Sequence, residues 1–283
     1  MHDIGIFCDE IPVPGEGGAE HTNDCCSQRD ALTYDINGTD ISLPVLVNEA
    51  AMLMNQFTVS AKRVKALLEG TGFRPVEIFP GKALMQLLAV DYRKNDLGDY
   101  NEAAIIFPVL APGESRPLPL VGPMIRTVKG TLHNFVYRMP VDQNFTTHAG
   151  RFIWGFPKWV STVDISFDEK RASATFEDQG ELVFAIESPA TGKIAAKPQT
   201  APSLAIRDGR AWRTFGVTEG EGMTVKLGGK APTIGNTHPL AKLLRELGLP
   251  KRPMMSVSMQ HVRLRFDGAE SVPVGQPFSS TPQ

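Results

Sequence analysis

Apolar residues along this chain come in short runs, many alternating with polar positions and each closed by glycine, proline or a small polar residue. That rhythm predicts numerous strands and few helices. Residues 43–55 read as a strand, after which Ser60 caps a short helix over 61–68 that Gly70 and Gly72 close. Residues 84–92 and 103–110 read as buried strands joined by a polar loop at 93–99. Between Lys158 and Glu187, three β-prone segments flank turns at Asp168-Glu169-Lys170 and Asp178-Gln179-Gly180. Such spacing predicts an antiparallel meander. Pro239 opens a second helix, 240–247, stopped by Gly248 and Pro250. Val257, Met259, His261, Arg263 and Arg265 then alternate as a last strand.

Many strands, two clear helices and no strand-helix alternation predict a mainly β (α+β) fold. Its antiparallel sheet would close, or nearly close, on itself around an apolar interior. Residues 1–42 follow no period of 2 or 3.6 and read as an N-terminal arm lying on the surface or on a neighbouring subunit. Residues 43–283 read as a single domain, with no internal repeats.

Composition narrows the partners. Hydrophobic residues make up 42% of the 283 and charged residues 21%, which excludes wholesale disorder. Lys plus Arg (29) nearly balances Asp plus Glu (31), so no basic face for nucleic acid is expected. The longest apolar stretch, 103–111, contains Pro108 and is too short for a membrane span. The three cysteines, Cys8, Cys25 and Cys26, form neither a disulfide framework nor a zinc spacing. With no secretion signal after Met1, the chain reads as cytoplasmic.

Several motifs fail on spacing. Residues 226–231 lack the first glycine of a phosphate loop, and Ala231 stands where Ser or Thr would bind magnesium. Gly15-Glu16-Gly17-Gly18 follows no strand, and no G-x-S-x-G elbow is present. His133, His148 and His261, expected on strands, read as core or cavity-wall residues, and no metal site is expected.

The informative segment is Gly150-Arg151-Phe152-Ile153-Trp154-Gly155-Phe156-Pro157-Lys158-Trp159. Lys158 is a lone ammonium among large apolar side chains. Either its stem covers apolar surface while its head reaches water, or it is a desolvated, neutral nucleophile. A free lysine is only about 0.04% neutral at pH 7, and bringing it to half-neutral there takes roughly 4–5 kcal/mol of differential solvation. Burial among Trp154, Phe156 and Trp159 could supply that; a surface could not.

The same segment resembles the signature of the acetoacetate decarboxylase superfamily, in which Gly-Arg, a short apolar stretch and Pro-Lys carry a Schiff-base lysine. Lys158 falls on that lysine. Tyr100-Asn101-Glu102 resembles the family's Tyr-x-Glu, Val141-Asp142 keeps its spacing to Arg151, and His238-Pro239-Leu240 resembles the C-terminal end. The resemblance covers roughly residues 43–266. It implies a cone-like closed β-barrel, homo-oligomeric assembly, a small keto acid as partner, and no cofactor. It also implies imine chemistry with Lys158 and Glu102 catalytic. Trp154, Phe156, Trp159, Gln86 and His148 would wall the substrate site. Arg151 would hold a carboxylate or brace the barrel, with Arg126 a second cationic candidate. Trp159 replaces the decarboxylases' second lysine, Gln86 a second cavity acid, and no arginine stands near Asn55-Gln56-Phe57. Three outcomes follow from this set: decarboxylation of a β-keto acid such as acetoacetate, aldol-dehydration with a pyruvate-like donor, or ligand binding without turnover.

Overall fold

The alternating runs become strands, most of them longer than the sequence rhythm suggests. The computed structural model describes residues 26–28, 32–118 and 121–279. β1 (Cys26–Gln28), β2 (Thr33–Ile36) and β3 (Thr39–Ser42) form a small antiparallel sheet. β4 (Val45–Ser60) runs into α1 (Ala61–Leu67), with the Ser60 hydroxyl accepting from the Arg63 N–H at 3.5 Å. β5 (Arg74–Pro75), β6 (Glu77–Phe79), β7 (Lys82–Asn95), β8 (Tyr100–Leu110), α2 (Val121–Val128) and β9 (His133–Val141) follow. Next come α3 (Asn144–Trp154), β10 (Lys158–Val160), β11 (Thr162–Phe167), β12 (Arg171–Asp178) and β13 (Glu181–Pro189). The chain ends with β14 (Ile194–Arg207), β15 (Arg210–Leu227), β16 (Thr233–Ile234), α4 (Pro239–Glu246) and β17 (Met255–Pro273).

Seven strands close a barrel in the order β9-β14-β15-β17-β4-β7-β8, and β8 pairs back onto β9. The expected closed barrel is therefore present, with one correction. The β9–β14 pairing is parallel, through Asn134↔Ser203 and Phe135↔Leu204, where an antiparallel sheet was expected. The reason is parity: seven strands cannot alternate direction all the way round a ring. That short seam leaves the lower edge of β9 free, and β10 takes it in parallel, with Lys158 opposite Met139. Lys158 thus enters the barrel through a gap in its wall.

The expected meander forms as β11-β12-β13, with Gln179 and Gly180 both at positive φ in the two-residue turn between the last two strands. It lies outside the barrel. Leu53, Phe57, Met85, Leu87, Ile105 and Phe107 from the barrel's outer face pack with Phe176, Phe184 and Ile186 of the meander and Leu240 and Leu244 of α4. A second core plugs one end of the barrel: Ile36 and Ile41 of the β2–β3 hairpin join Val45, Val47, Tyr100, Ile153 and Trp154. That hairpin is the last stretch of the expected arm. Residues 1–25 and 29–31, including Cys8 and Cys25, lie outside the described residues.

Two helices were not expected, α2 and α3. In α3, Phe145, Thr146, Thr147, Phe152 and Ile153 have modest helix propensity, and burial of Thr146, Ala149, Ile153 and Trp154 overrides it. This also corrects His148, which sits on that helix and not on a strand. Among the described residues no helix is long and apolar enough to cross a membrane.

Candidate active site

The site is assembled where α3 turns into β10. Gly155 ends the helix at φ 69, with its N–H bonded to the Arg151 carbonyl and the Phe156 N–H to the Gly150 carbonyl, each at 3.1 Å. This left-handed helix end favours glycine. Pro157 then prevents the helix from continuing, and the chain extends into β10. The lysine stem lies back across the helix at Gly150, where an added Cβ would sit 2.5 Å from Lys158 Cδ and 2.8 Å from Cε. Arg151 Nε donates to the Lys158 carbonyl at 2.6 Å, pinning the same residue from the other side. Each element of the local sequence thus shapes the lysine: glycine makes room, arginine clamps, glycine turns, proline stops.

Lys158 and Glu102 are 3% and 4% exposed, and Lys158 Nζ lies 2.8 Å from Glu102 Oε2. Glu102 is placed by β8, whose Asn101 N–H is held by Asp142 Oδ1 at 2.8 Å. The conspicuous Val141-Asp142 pair is therefore a scaffold for the acid. Tyr92 on β7 donates its hydroxyl to Glu102 Oε1 at 3.3 Å, and its ring stacks on Tyr100 with centroids 4.4 Å apart. The Tyr100 ring in turn lies 5.0 Å from Lys158 Nζ, within cation–π range. Burial, with the Glu102 charge adding to it, pushes both tyrosine hydroxyls well above their ordinary range, so both stay protonated donors.

These groups stand in a cavity of about 720 Å³ that fills the barrel. Gln86, Trp154 and Phe156 line it with Lys158 and Glu102. Four other candidates lie elsewhere. Trp159, one residue along the strand, faces the opposite side, donating to Asp178 Oδ1 at 3.3 Å and packing edge-on to Phe176. A lysine there would also face away from the amine. Arg151 and His148 border a separate cleft behind α3, with Phe152, Pro157 and Arg207. Arg126 pairs with Glu114 at 2.8 Å beside the barrel mouth. Tyr92 was missed; its signal is the inward alternation of Leu88, Val90 and Tyr92, with Val90 opposite Glu102. His238 caps α4 and contacts Asp178 at 3.1 Å, so the C-terminal motif buttresses the meander.

Fold and site together define a closed β-barrel that buries an amine–carboxylate pair in an apolar chamber. The sequence model of the acetoacetate decarboxylase family matches residues 37–218, well over half of the chain. The protein belongs to that family. Among solved structures it is similar to the acetoacetate decarboxylase from Legionella pneumophila subsp. pneumophila str. Philadelphia 1, with 15% identity over 81% of this chain and 87% of that one, at a TM-score of 0.56. An acetoacetate decarboxylase-like enzyme from Sphingomonas wittichii RW1 aligns at 13% identity over 83% and 95% of the two chains, TM-score 0.51. At these identities the likeness speaks for the fold. No curated protein sequence matches.

Proposed function

We propose that this protein is a Schiff-base-forming lyase that decarboxylates a 3-oxo acid. The observation that carries the reading is the 2.8 Å contact between Lys158 Nζ and Glu102 Oε2, both buried in the wall of an apolar cavity. A buried ion pair is poor value for stability, because desolvating both ions offsets their attraction. What the contact does serve is proton transfer: Glu102 stands where it can take a proton from the Lys158 amine and return it to a substrate oxygen.

The neutral amine of Lys158 attacks the ketone carbon, and the carbonyl oxygen becomes a hydroxyl. Glu102 gives its proton to that hydroxyl, which leaves as water and forms the protonated imine. The bond to the carboxylate then breaks, its electron pair moving toward the imine nitrogen to leave an enamine and carbon dioxide. Protonation of the enamine carbon followed by addition of water returns Lys158 and releases a ketone with one carbon fewer. Tyr92, held protonated, steadies Glu102 through these changes of charge.

Decarboxylation is preferred over aldol-dehydration because of the walls. Among the described residues lining the cavity, Lys158 and Lys197 are the only cationic side chains, and Lys197 is exposed on the outer half of β14. A pyruvate-like donor keeps its carboxylate to the end and needs a lasting counter-charge. A 3-oxo acid loses its carboxylate as a neutral gas, which apolar surroundings favour.

The test is borohydride reduction in the presence of acetoacetate or longer 3-oxo acids, followed by peptide mass analysis, alongside carbon dioxide release. The expected result is an adduct on Lys158, none in Lys158→Arg, and gas release with 3-oxo acids but no condensation product from pyruvate and an aldehyde. A Lys158→Arg protein that keeps full turnover would overturn the assignment, since guanidinium stays charged in proteins.

A further inference from the structure

The volume and lining of the barrel cavity are out of proportion to a four-carbon acid. At about 30 Å³ per water, 720 Å³ holds on the order of two dozen waters. Its charged lining is confined to the Lys158–Glu102 pair and Lys197, and the rest is overwhelmingly apolar. Seven of the chain's ten methionines line it: Met52, Met54, Met139, Met223, Met254, Met255 and Met259. Unbranched, polarizable methionine suits a wall that must adapt to a flexible apolar ligand.

Burial along β4 is inverted relative to an ordinary barrel strand. On β4 the outward residues Leu53, Phe57 and Val59 are sealed under the meander and α4, whereas the inward Met52, Met54 and Gln56 are only half-buried. Leu88, Met223, Met255 and Leu264 are likewise half-buried on the cavity side. These apolar side chains face an open chamber, so an apolar ligand covering them gains the burial that the fold itself has not taken.

The chamber also has a direction. Its floor, at Tyr92, Tyr100, Trp154 and Lys158, is plugged by the hairpin and α3. From Val90, opposite Glu102, the inward residues Leu88, Gln86 and Leu84 climb β7 away from that floor. Six residues of strand rise roughly 20 Å, or about 15 Å along a barrel axis tilted by some 40°. The far rim carries Met254 and Leu227, the latter 85% exposed.

Resting on the lyase reading above, we propose that the substrate is a 3-oxo acid bearing a long apolar chain. Its keto carbon meets Lys158, and a tail on the order of ten carbons lies along the methionine-lined column toward Leu227. The reaction keeps its balance whatever the chain: one proton and one 3-oxo carboxylate give one methyl ketone and one carbon dioxide.

The experiment uses the full chain with 3-oxobutanoate, 3-oxooctanoate, 3-oxodecanoate and 3-oxododecanoate, measuring methyl ketone formed above the uncatalysed blank. Borohydride adducts with the matching methyl ketones are read in parallel. The expected kcat/KM climbs roughly threefold to fourfold per added methylene before levelling near the length of the column. In Leu88→Trp, which narrows the column midway, the optimum moves to a shorter chain. A flat series, or one that favours 3-oxobutanoate while Lys158 still traps, overturns the long-chain assignment and leaves the lyase reading standing. No adduct on Lys158 with any ketone overturns both. The wild-type series decides the matter even where the tryptophan variant does not fold.

Discussion

Gly150→Ala tests whether the helix floor sets the position of the Lys158 amine. The new Cβ would stand 2.5 Å from Lys158 Cδ and 2.8 Å from Cε, where carbon atoms normally approach no closer than about 3.5 Å. The stem must therefore recede by about 1 Å, carrying Nζ out of its 2.8 Å contact with Glu102. A misplacement of about 1 Å in a reacting group costs on the order of 100-fold in rate. Stability moves far less. Overpacking costs about 1–3 kcal/mol, and alanine in place of glycine within a helix returns up to about 1 kcal/mol. The variant is expected to melt close to wild type, to form the borohydride adduct on Lys158 some two orders of magnitude more slowly, and to lose kcat in step. A folded Gly150→Ala protein that traps at the wild-type rate would refute the idea that α3 aims the lysine.

Other substitutions separate chemistry from support. Glu102→Gln should slow turnover by about 10²–10⁴-fold while adduct still forms, and should lower the melting temperature because it disrupts the buried 2.8 Å contact with Lys158; unchanged kcat would remove Glu102 from proton transfer. Arg151→Gln should cost about 1–3 kcal/mol of stability by releasing the Lys158 carbonyl, with little change in KM for the keto acid; a large rise in KM at unchanged melting temperature would instead make Arg151 a carboxylate binder. Near the mouth, burial opposes ionisation of Glu114 but is outweighed by His133, the Ala111 N–H and Arg126, holding its carboxyl at about 2 against an ordinary 4.5. A depressed folded value contributes stability that is present above 4.5 and lost as pH falls through about 2. The melting-temperature gap between wild type and Glu114→Gln should therefore narrow steadily from pH 5 to pH 2.5; a constant gap would show that the carboxylate's charge is not what stabilises this corner.

Local patterns in the sequence carried far. The meander was legible because strand length and turn chemistry agree at Gln179-Gly180, and the Ser60 cap because a hydroxyl stands ahead of a helical run. The lysine and its acid were legible only as motifs, since 56 residues separate Glu102 from Lys158 and no periodicity reports their meeting. What escaped was decided by the ring as a whole. The parallel β9–β14 seam follows from an odd number of strands, a property of no single segment. Arg151 reads equally well as ligand or brace until the helix direction turns its guanidinium toward the backbone of Lys158.

The departures from the decarboxylase pattern look different once each is placed. Residue 159 points away from the Lys158 amine, so tryptophan in place of lysine there alters the packing beneath the meander and leaves the surroundings of Lys158 Nζ unchanged. Gln86 and Gln56 face each other across β4 and β7, several residues up the column from Glu102. Neutral amides at that level remove the charge that would repel or misalign an apolar tail, while the amine and acid at the floor stay intact. Among the residues that line the cavity, agreement therefore falls at the floor, at Lys158 and Glu102, and divergence higher up, at Gln56 and Gln86, where a substrate's remainder would lie. A change of substrate at constant chemistry leaves that kind of pattern, because imine formation requires only the floor, whereas discrimination between a methyl group and a long chain is exercised along the walls.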